Sequence, residues 1–214
     1  MSDLNKVVKP KVVNFLEKDI DIYDSLLNEK ELLNSLIENC TLDCINEERV
    51  EINGCILENV IFDQCLFKRI DLLDCVFKNC DLSNIDFSEG SIYRVEFQNC
   101  KLTGSNFSEC SMQNVLFKDC LCTYSNFSYS KMKLINYEKC NMNNVSFFEC
   151  NFNKIAFSGC NLVLGDFTNT LLKGIDFTDS DISSIILTGR ELNGAIVSPI
   201  QAMELAKILG IIIK

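Results

Sequence analysis

Every fifth residue from Ile52 to Val197 is apolar: all thirty positions, counting Cys122 and Tyr137. With 47% of the chain apolar, chance would give such a run roughly once in 10^10 trials. Thirteen of the fifteen phenylalanines fall in this column, among them Phe62, Phe77, Phe97, Phe117, Phe157 and Phe177. A second column, two residues earlier, is small or β-branched: Val50, Cys55, Val60, Cys65, Ile70, Cys75. Five matches neither the helical period of 3.6 nor the strand period of 2, but the two inward residues of each unit sit two apart, as on a very short strand. The polar residues that follow are turn-formers, with Asn59, Asn79, Asn99, Asn114 and Asn144 recurring. A short strand and a corner every five residues, always turning the same way, wind a chain into a solenoid.

A longer rhythm lies over the first. Phe87, Phe97, Phe107, Phe117 and Phe127 alternate with Leu82, Leu102, Met112 and Met132. A ten-residue alternation requires an even number of sides per coil, which excludes a three-sided β-helix. The pattern runs without insertion from 50 to 197. At the unit INEER, Glu47 takes the central position, which predicts a bulge or an irregular first coil.

Units such as CDLSN (80–84), IDFSE (85–89), VEFQN (95–99) and VLFKD (115–119) resemble those of the pentapeptide-repeat proteins. The resemblance covers roughly residues 35–197. It implies an all-β fold, a right-handed quadrilateral β-helix with about 20 residues per coil, ending here in a short C-terminal α-helix. The expected organisation is an N-terminal flanking and capping segment over 1–34, the β-helix over 35–197, and a C-terminal helix and strand over 198–214. Residues 1–30 are expected as an extended segment over the first coil, with a short helix at NEKELLNS (28–35).

The C-terminal end carries clear helix signals. Ser198 is an N-cap, Pro199 occupies the first turn and Gly210 is a stop. Gln201, Glu204 and Lys207 leave only a narrow polar strip. The remaining apolar surface, from Ile200, Met203, Leu205, Ile208 and Leu209, exceeds what one coil can cover. A two-fold homodimer through this helix is therefore expected, with Ile211 and Ile213 in an added strand. Family members ending in such a helix dimerise tip to tip, which the resemblance extends to this chain.

The composition restricts chemistry. There is no histidine, so the commonest general base and metal ligand are both missing. Eleven of the thirteen cysteines occupy the small inward column. Cys80, Cys100, Cys120, Cys140 and Cys160 are spaced to stack in parallel ~4.8 Å apart rather than converge on a zinc ion. They read as small buried hydrophobes. No phosphate loop, nucleophile elbow or carboxylate pair occurs. The expectation is a protein that is not an enzyme and needs no cofactor or metal, in the cytoplasm with reduced thiols. No apolar run reaches the ~18 residues that would span a membrane.

Charge supplies the remaining signal. The net charge of −10 disfavours direct contact with nucleic acid or an anionic membrane face. Residues 1–100 hold 20 acidic and 10 basic groups, and residues 101–214 hold 10 of each. Sorted by a period of twenty, Asp86, Glu89, Glu109, Glu149 and Asp166 share one side, the candidate acidic partner-binding face. The neighbouring side carries Arg94, Lys131, Lys133, Lys154 and Lys173, with Glu51, Asp71, Asp74 and Glu191. The family's quinolone-resistance branch resembles B-DNA in size and charge and binds DNA gyrase and topoisomerase IV. The resemblance therefore implies a DNA-mimicking, topoisomerase-binding protein that protects against quinolones or a related toxin. A dimer of −20 over roughly 80 Å carries one charge per ~4 Å, however, against one per ~1.7 Å in duplex DNA. A generic interaction scaffold, with acidity serving solubility, is the alternative.

Overall fold

Each five-residue unit makes one side of a coil, and the corner between sides is set by a single backbone conformation. A computed structural model describes residues 5–213, the Leu209 side chain excepted. The second residue after each central position lies in the left-handed region, as at Asn79 (φ 53°), Asn99 (φ 53°) and Asn144 (φ 57°). Asn and Asp tolerate that region because their short side chains bond to nearby backbone. The same conformation is nonetheless imposed on Tyr124, Tyr129, Leu134 and Leu164, where each costs about 1 kcal/mol.

Four such sides bring the chain back over itself after twenty residues. One side pairs in parallel through Glu31, Glu51, Asp71, Ser91, Ser111, Lys131 and Asn151. The next pairs through Leu36, Ile56, Val76, Glu96, Leu116, Asn136 and Ala156. The other two stack through Ile61, Asp81, Lys101 and Leu121, and through Leu66, Asp86, Asn106 and Asn126. Strands Ser91–Gln98, Ser111–Lys118, Lys131–Glu138 and Asn151–Ser158 cross one corner without a break. The facing sides instead take tight turns, with Gly90 N–H reaching Phe87 O at 3.2 Å.

The fold is thus a parallel four-sided solenoid. The ten-residue alternation has a direct cause: aromatic rings come from two opposite sides. On one, Phe97, Phe117, Tyr137 and Phe157 stack with centroids 4.8–5.1 Å apart. On the other, Phe107, Phe127, Phe147 and Phe167 stack at 5.0–5.3 Å. The two ladders meet edge to face across the centre, as Phe107 does with Phe117 at 6.1 Å and 86°. These are favoured ring geometries, each worth about 0.5–1.5 kcal/mol beyond burial.

The cysteines sit in the corners of this core as packing. Cys75, Cys100 and Cys120 place their Sγ atoms 3.2–3.4 Å from the carbonyl oxygens of Ile52, Phe77 and Phe97 in the coil below. All thirteen are free thiols. Burial pushes the Cys55 thiol up to about 11 and those of Cys110 and Cys150 up to about 12. Thiolates, the reactive and metal-binding form, are suppressed there. Among the described residues no group of His, Cys, Asp or Glu could hold a metal ion.

Several expectations need correcting. Glu47 causes no bulge, because Asn46–Glu48 pairs in register with Leu66–Lys68. Its carboxylate at the open end of the solenoid is neutralised by Lys30. The helical turns of the N-terminal cap fall at Ile22–Asp24 and Ser25–Glu29, and the predicted helix over 28–35 is replaced by strand Glu31–Leu33, already paired with Glu51–Asn53. The segment before the cap runs lengthwise along the rod instead of across its first coil. Lys11 N–H donates to Asp74 (2.8 Å), Val8 N–H to Asn114 (3.2 Å) and Asn5 N–H to Asn136 (3.2 Å).

At the other end, helix Pro199–Ala206 opens with a capping box between Ser198 and Gln201. Leu205 is 8% exposed and joins the core, so it caps the last coil and does not share the exposed apolar face expected to dimerise. Within the single chain Ile211–Ile213 pair with no strand. Between solenoid and helix, Glu191 is fully buried, contrary to its expected outward position. Its carboxylate accepts from the N–H groups of Asn169, Thr188 and Gly189 and from the Thr188 hydroxyl. Burial raises its pKa, but these donors outweigh it and hold the group below the usual carboxylate value.

Two outcomes follow from this core. Tyr137 Oη is buried without a hydrogen-bond partner, alone in this among the described side-chain atoms. Removing it in Tyr137→Phe keeps both ring stacks and should stabilise the protein by about 1 kcal/mol in chemical denaturation. A lower denaturation midpoint would show that the hydroxyl is satisfied. For the thiols, native protein mixed with an aromatic disulfide reagent should react rapidly at Cys44, the one exposed cysteine, more slowly at the half-buried Cys40, and at the eleven buried ones only on denaturation. Fast native labelling of the Cys80–Cys160 column would contradict its packing role.

Candidate partner-binding surface

The interior is filled by stacked side chains, so any site must lie on the outer sides or at the ends. The expected acidic residues occupy two neighbouring columns. Asp86 and Asp166 belong to the stack that runs through Asn106, Asn126 and Ser146. Glu89, Glu109 and Glu149 are left-handed corner residues, with φ of 53–60°. Successive corner amides donate to the coil above, Glu89 to Ser108 O, Glu109 to Ser128 O and Glu149 to Thr168 O. The register therefore brings all five to one side of the rod.

Their chemistry differs. Asp86 accepts from Ser88 N–H (2.8 Å) and Asn106 Nδ2 (3.0 Å), and Asp166 from Thr168 N–H (2.9 Å). These two carboxylates thus serve the turns. Glu89 is gripped by Lys68 and Arg69, both at 2.8 Å, and they hold its pKa below the usual value. Glu149 receives Asn169 Nδ2 at 3.2 Å. Glu109 makes no ion pair among the described residues, which leaves a free negative charge in the middle of the side.

Between Glu109 and Glu149 in the same corner column stands Tyr129, 53% exposed and packed edge to face on Phe148 at 5.5 Å. Sorting only the charged residues by twenty overlooks it; sorting every outward residue would have found it. An exposed tyrosine between two carboxylates suits a partner surface that offers both cations and apolar contact.

The C-terminal helix exposes Ile200 (71%) and Met203 (50%), continued by Ile208, Ile211 and Ile213. The Leu209 side chain lies outside the described residues. On the neighbouring side of the rod, Arg94 grips Asp74 through two bonds of 2.5 and 2.6 Å and lies over the Tyr93 ring. Lys131, Lys133, Lys154 and Lys173 form no ion pair among the described residues. No described helix is long and apolar enough to cross a membrane.

Comparison with known proteins agrees with the repeat. No curated protein matches the sequence. Among solved structures, a trypsin-treated variant of QnrB1, a plasmid-mediated fluoroquinolone resistance protein, is 25% identical; the match covers 92% of this chain and 95% of that one, with a TM-score of 0.43. Full-length QnrB1 is 15% identical over 83% of this chain and 100% of its own, with a TM-score of 0.39. HetL, a pentapeptide-repeat protein involved in heterocyst differentiation regulation from the cyanobacterium Nostoc sp., is 14% identical, over 78% and 86%, with a TM-score of 0.26. Such loose superpositions carry no argument about function. The model of the pentapeptide repeat region matches residues 70–136 and 130–196, more than half of the chain and the stretch where coils stack without interruption. The chain belongs to the pentapeptide-repeat family.

Proposed function

We propose that this protein is a non-catalytic rod that binds a basic protein surface along its Glu89–Asp166 side and acts as a homodimer joined by its C-terminal helix. The observation that carries this reading is the Glu109–Tyr129–Glu149 column, which repeats at the coil spacing on a rod with a filled interior. A side chain every ~4.8 Å along a straight edge suits an elongated, positively charged groove. Type II topoisomerase, as gyrase or topoisomerase IV, is the partner that the sequence resemblance supports. Occupying its DNA-binding groove would protect it against quinolones or a related toxin. A scaffold for another basic partner is the second reading, favoured by the internal neutralisation of Glu89 and by the near-neutral second half of the chain.

The purified protein should inhibit gyrase supercoiling, or relieve its inhibition by a fluoroquinolone, at micromolar concentration. Glu109→Lys with Glu149→Lys should weaken that effect at least tenfold or so. No effect of the wild type, with or without the drug, would reject topoisomerase as the partner. For the dimer, light scattering should give twice the chain mass, reduced to one chain mass by Ile200→Asp with Met203→Asp. A wild-type monomer would remove dimerisation from the proposal.

A further inference from the structure

A net charge of −10 argues against polyanion binding by the chain as a whole, but the path of the N-terminal arm creates a local exception. Asn5, Val8 and Lys11 turn their amides toward the rod, to Asn136 on a strand and to Asn114 and Asp74 in the neighbouring corner column. Lys6, Lys9 and Lys11 consequently project outward, all exposed. Beside the arm, Lys133, Lys154 and Lys173 are exposed in three successive coils. None of these six lysines has an ion-pair partner among the described residues, whereas Lys68, Arg69 and Lys101 elsewhere on the rod are all paired.

Two carboxylates of this strip are already engaged. Asp74 is bound by Arg94. Glu96 lies under the arm, 8% exposed and hydrogen-bonded to Gln98. Asp176, at the groove where Lys154 and Lys173 converge, and Asp119, in the groove that Lys9 lines, are counter-charges without an ion pair among the described residues. The corner column that holds Glu109 lies a full side of the solenoid away, roughly 10–15 Å. That exceeds the screening length of ~8 Å at physiological salt, so the two fields act separately.

We infer that the arm and Lys133, Lys154 and Lys173 form a basic ridge that binds the phosphate backbone of duplex DNA. From the level of Asp74 to that of Gly174 the ridge crosses five coils, ~24 Å. Over that length duplex DNA carries about fourteen charges. A straight, narrow line of cations matches a line of phosphates, and it favours duplex DNA over a flat membrane, against which the adjoining acidic side would also be pressed. The contacts are to phosphate alone, so binding is independent of sequence and steeply dependent on salt. This site does not depend on the topoisomerase reading, and its test contains no topoisomerase.

The experiment is fluorescence anisotropy of a labelled duplex of about 20 base pairs titrated with the full chain between about 25 and 150 mM salt. The expected result is binding at low salt with a log–log salt slope between about −3 and −5. Lys133→Glu with Lys154→Glu and Lys173→Glu should weaken binding more than about tenfold and shrink the slope by about 3. Lys6→Glu with Lys9→Glu and Lys11→Glu, on the arm, should act likewise. A control triple of Arg49→Glu, Lys139→Glu and Lys207→Glu, exposed cations off the ridge, should change affinity less than about threefold. Absence of binding at low salt would overturn the inference, as would equal loss in the control. Binding to phosphatidylserine vesicles without binding to the duplex would overturn it too, assigning the ridge to a membrane.

Discussion

The left-handed residue at the end of each five-residue unit is the constraint on which this molecule depends. It turns the chain at each corner, and four such turns set each residue over the one twenty positions earlier. Backbone hydrogen bonds then run along the rod axis, as from Asn99 N–H to Lys118 O and from Asp119 N–H to Glu138 O, both at 2.9 Å. Because the step is constant, identical side-chain types stack into columns. The phenylalanine ladders, the thiol corners and the outer charged columns are three results of one backbone geometry. Each coil buries its apolar surface only against its neighbours, so stability accumulates along the array rather than around one centre.

A filled interior leaves the outer sides and the ends as the exposed surface, and the corners carry much of its charge. Glu89, Glu109, Tyr129 and Glu149 on one edge and Arg94 and Lys154 on another are all left-handed corner residues. A side chain there points away from the core, so it can be chosen for surface chemistry at the expense of about 1 kcal/mol of backbone strain. The Tyr129 and Leu164 corners show this most clearly, because neither side chain has the short polar group that relieves the strain. The surface is divided as a consequence: an acidic edge with an exposed ring, and, one side away, a basic edge extended by the N-terminal arm.

Much of this was legible in the residues. The five-residue column predicts a solenoid, and the ten-residue alternation predicts an even number of sides; Phe97 and Phe107 indeed face each other from opposite sides. The cysteine column reads correctly as packing, because twenty-residue spacing in a coil places thiols in parallel. The period of twenty also places Asp86, Glu89, Glu109, Glu149 and Asp166 on one side. Glu47, Glu191 and Leu205 are where this reading fails. A carboxylate at an inward position looks like a break in the repeat until Lys30 comes to neutralise it from the cap. Glu191 sits at an outward position by count, yet the turn at Arg190–Leu192 swings it inside, where backbone donors hold it. Leu205 seems to belong to a single apolar face until the last coil claims it.

What the sequence by itself determined is whatever repeats: the side length, an even number of sides, the ring ladders and the charged columns all follow from a local period. The arm is different in kind. Its bonds join residues 63, 106 and 131 positions apart, and nothing in the segment Asn5–Val13 names Asp74, Asn114 or Asn136 as acceptors. Only tertiary structure could place three lysines of the arm next to Lys133, Lys154 and Lys173, because a non-repeating segment has no register of its own. It takes whichever edge of the rod presents side-chain acceptors at the spacing of its amides. That placement turns a scattering of lysines in an acidic chain into a basic ridge.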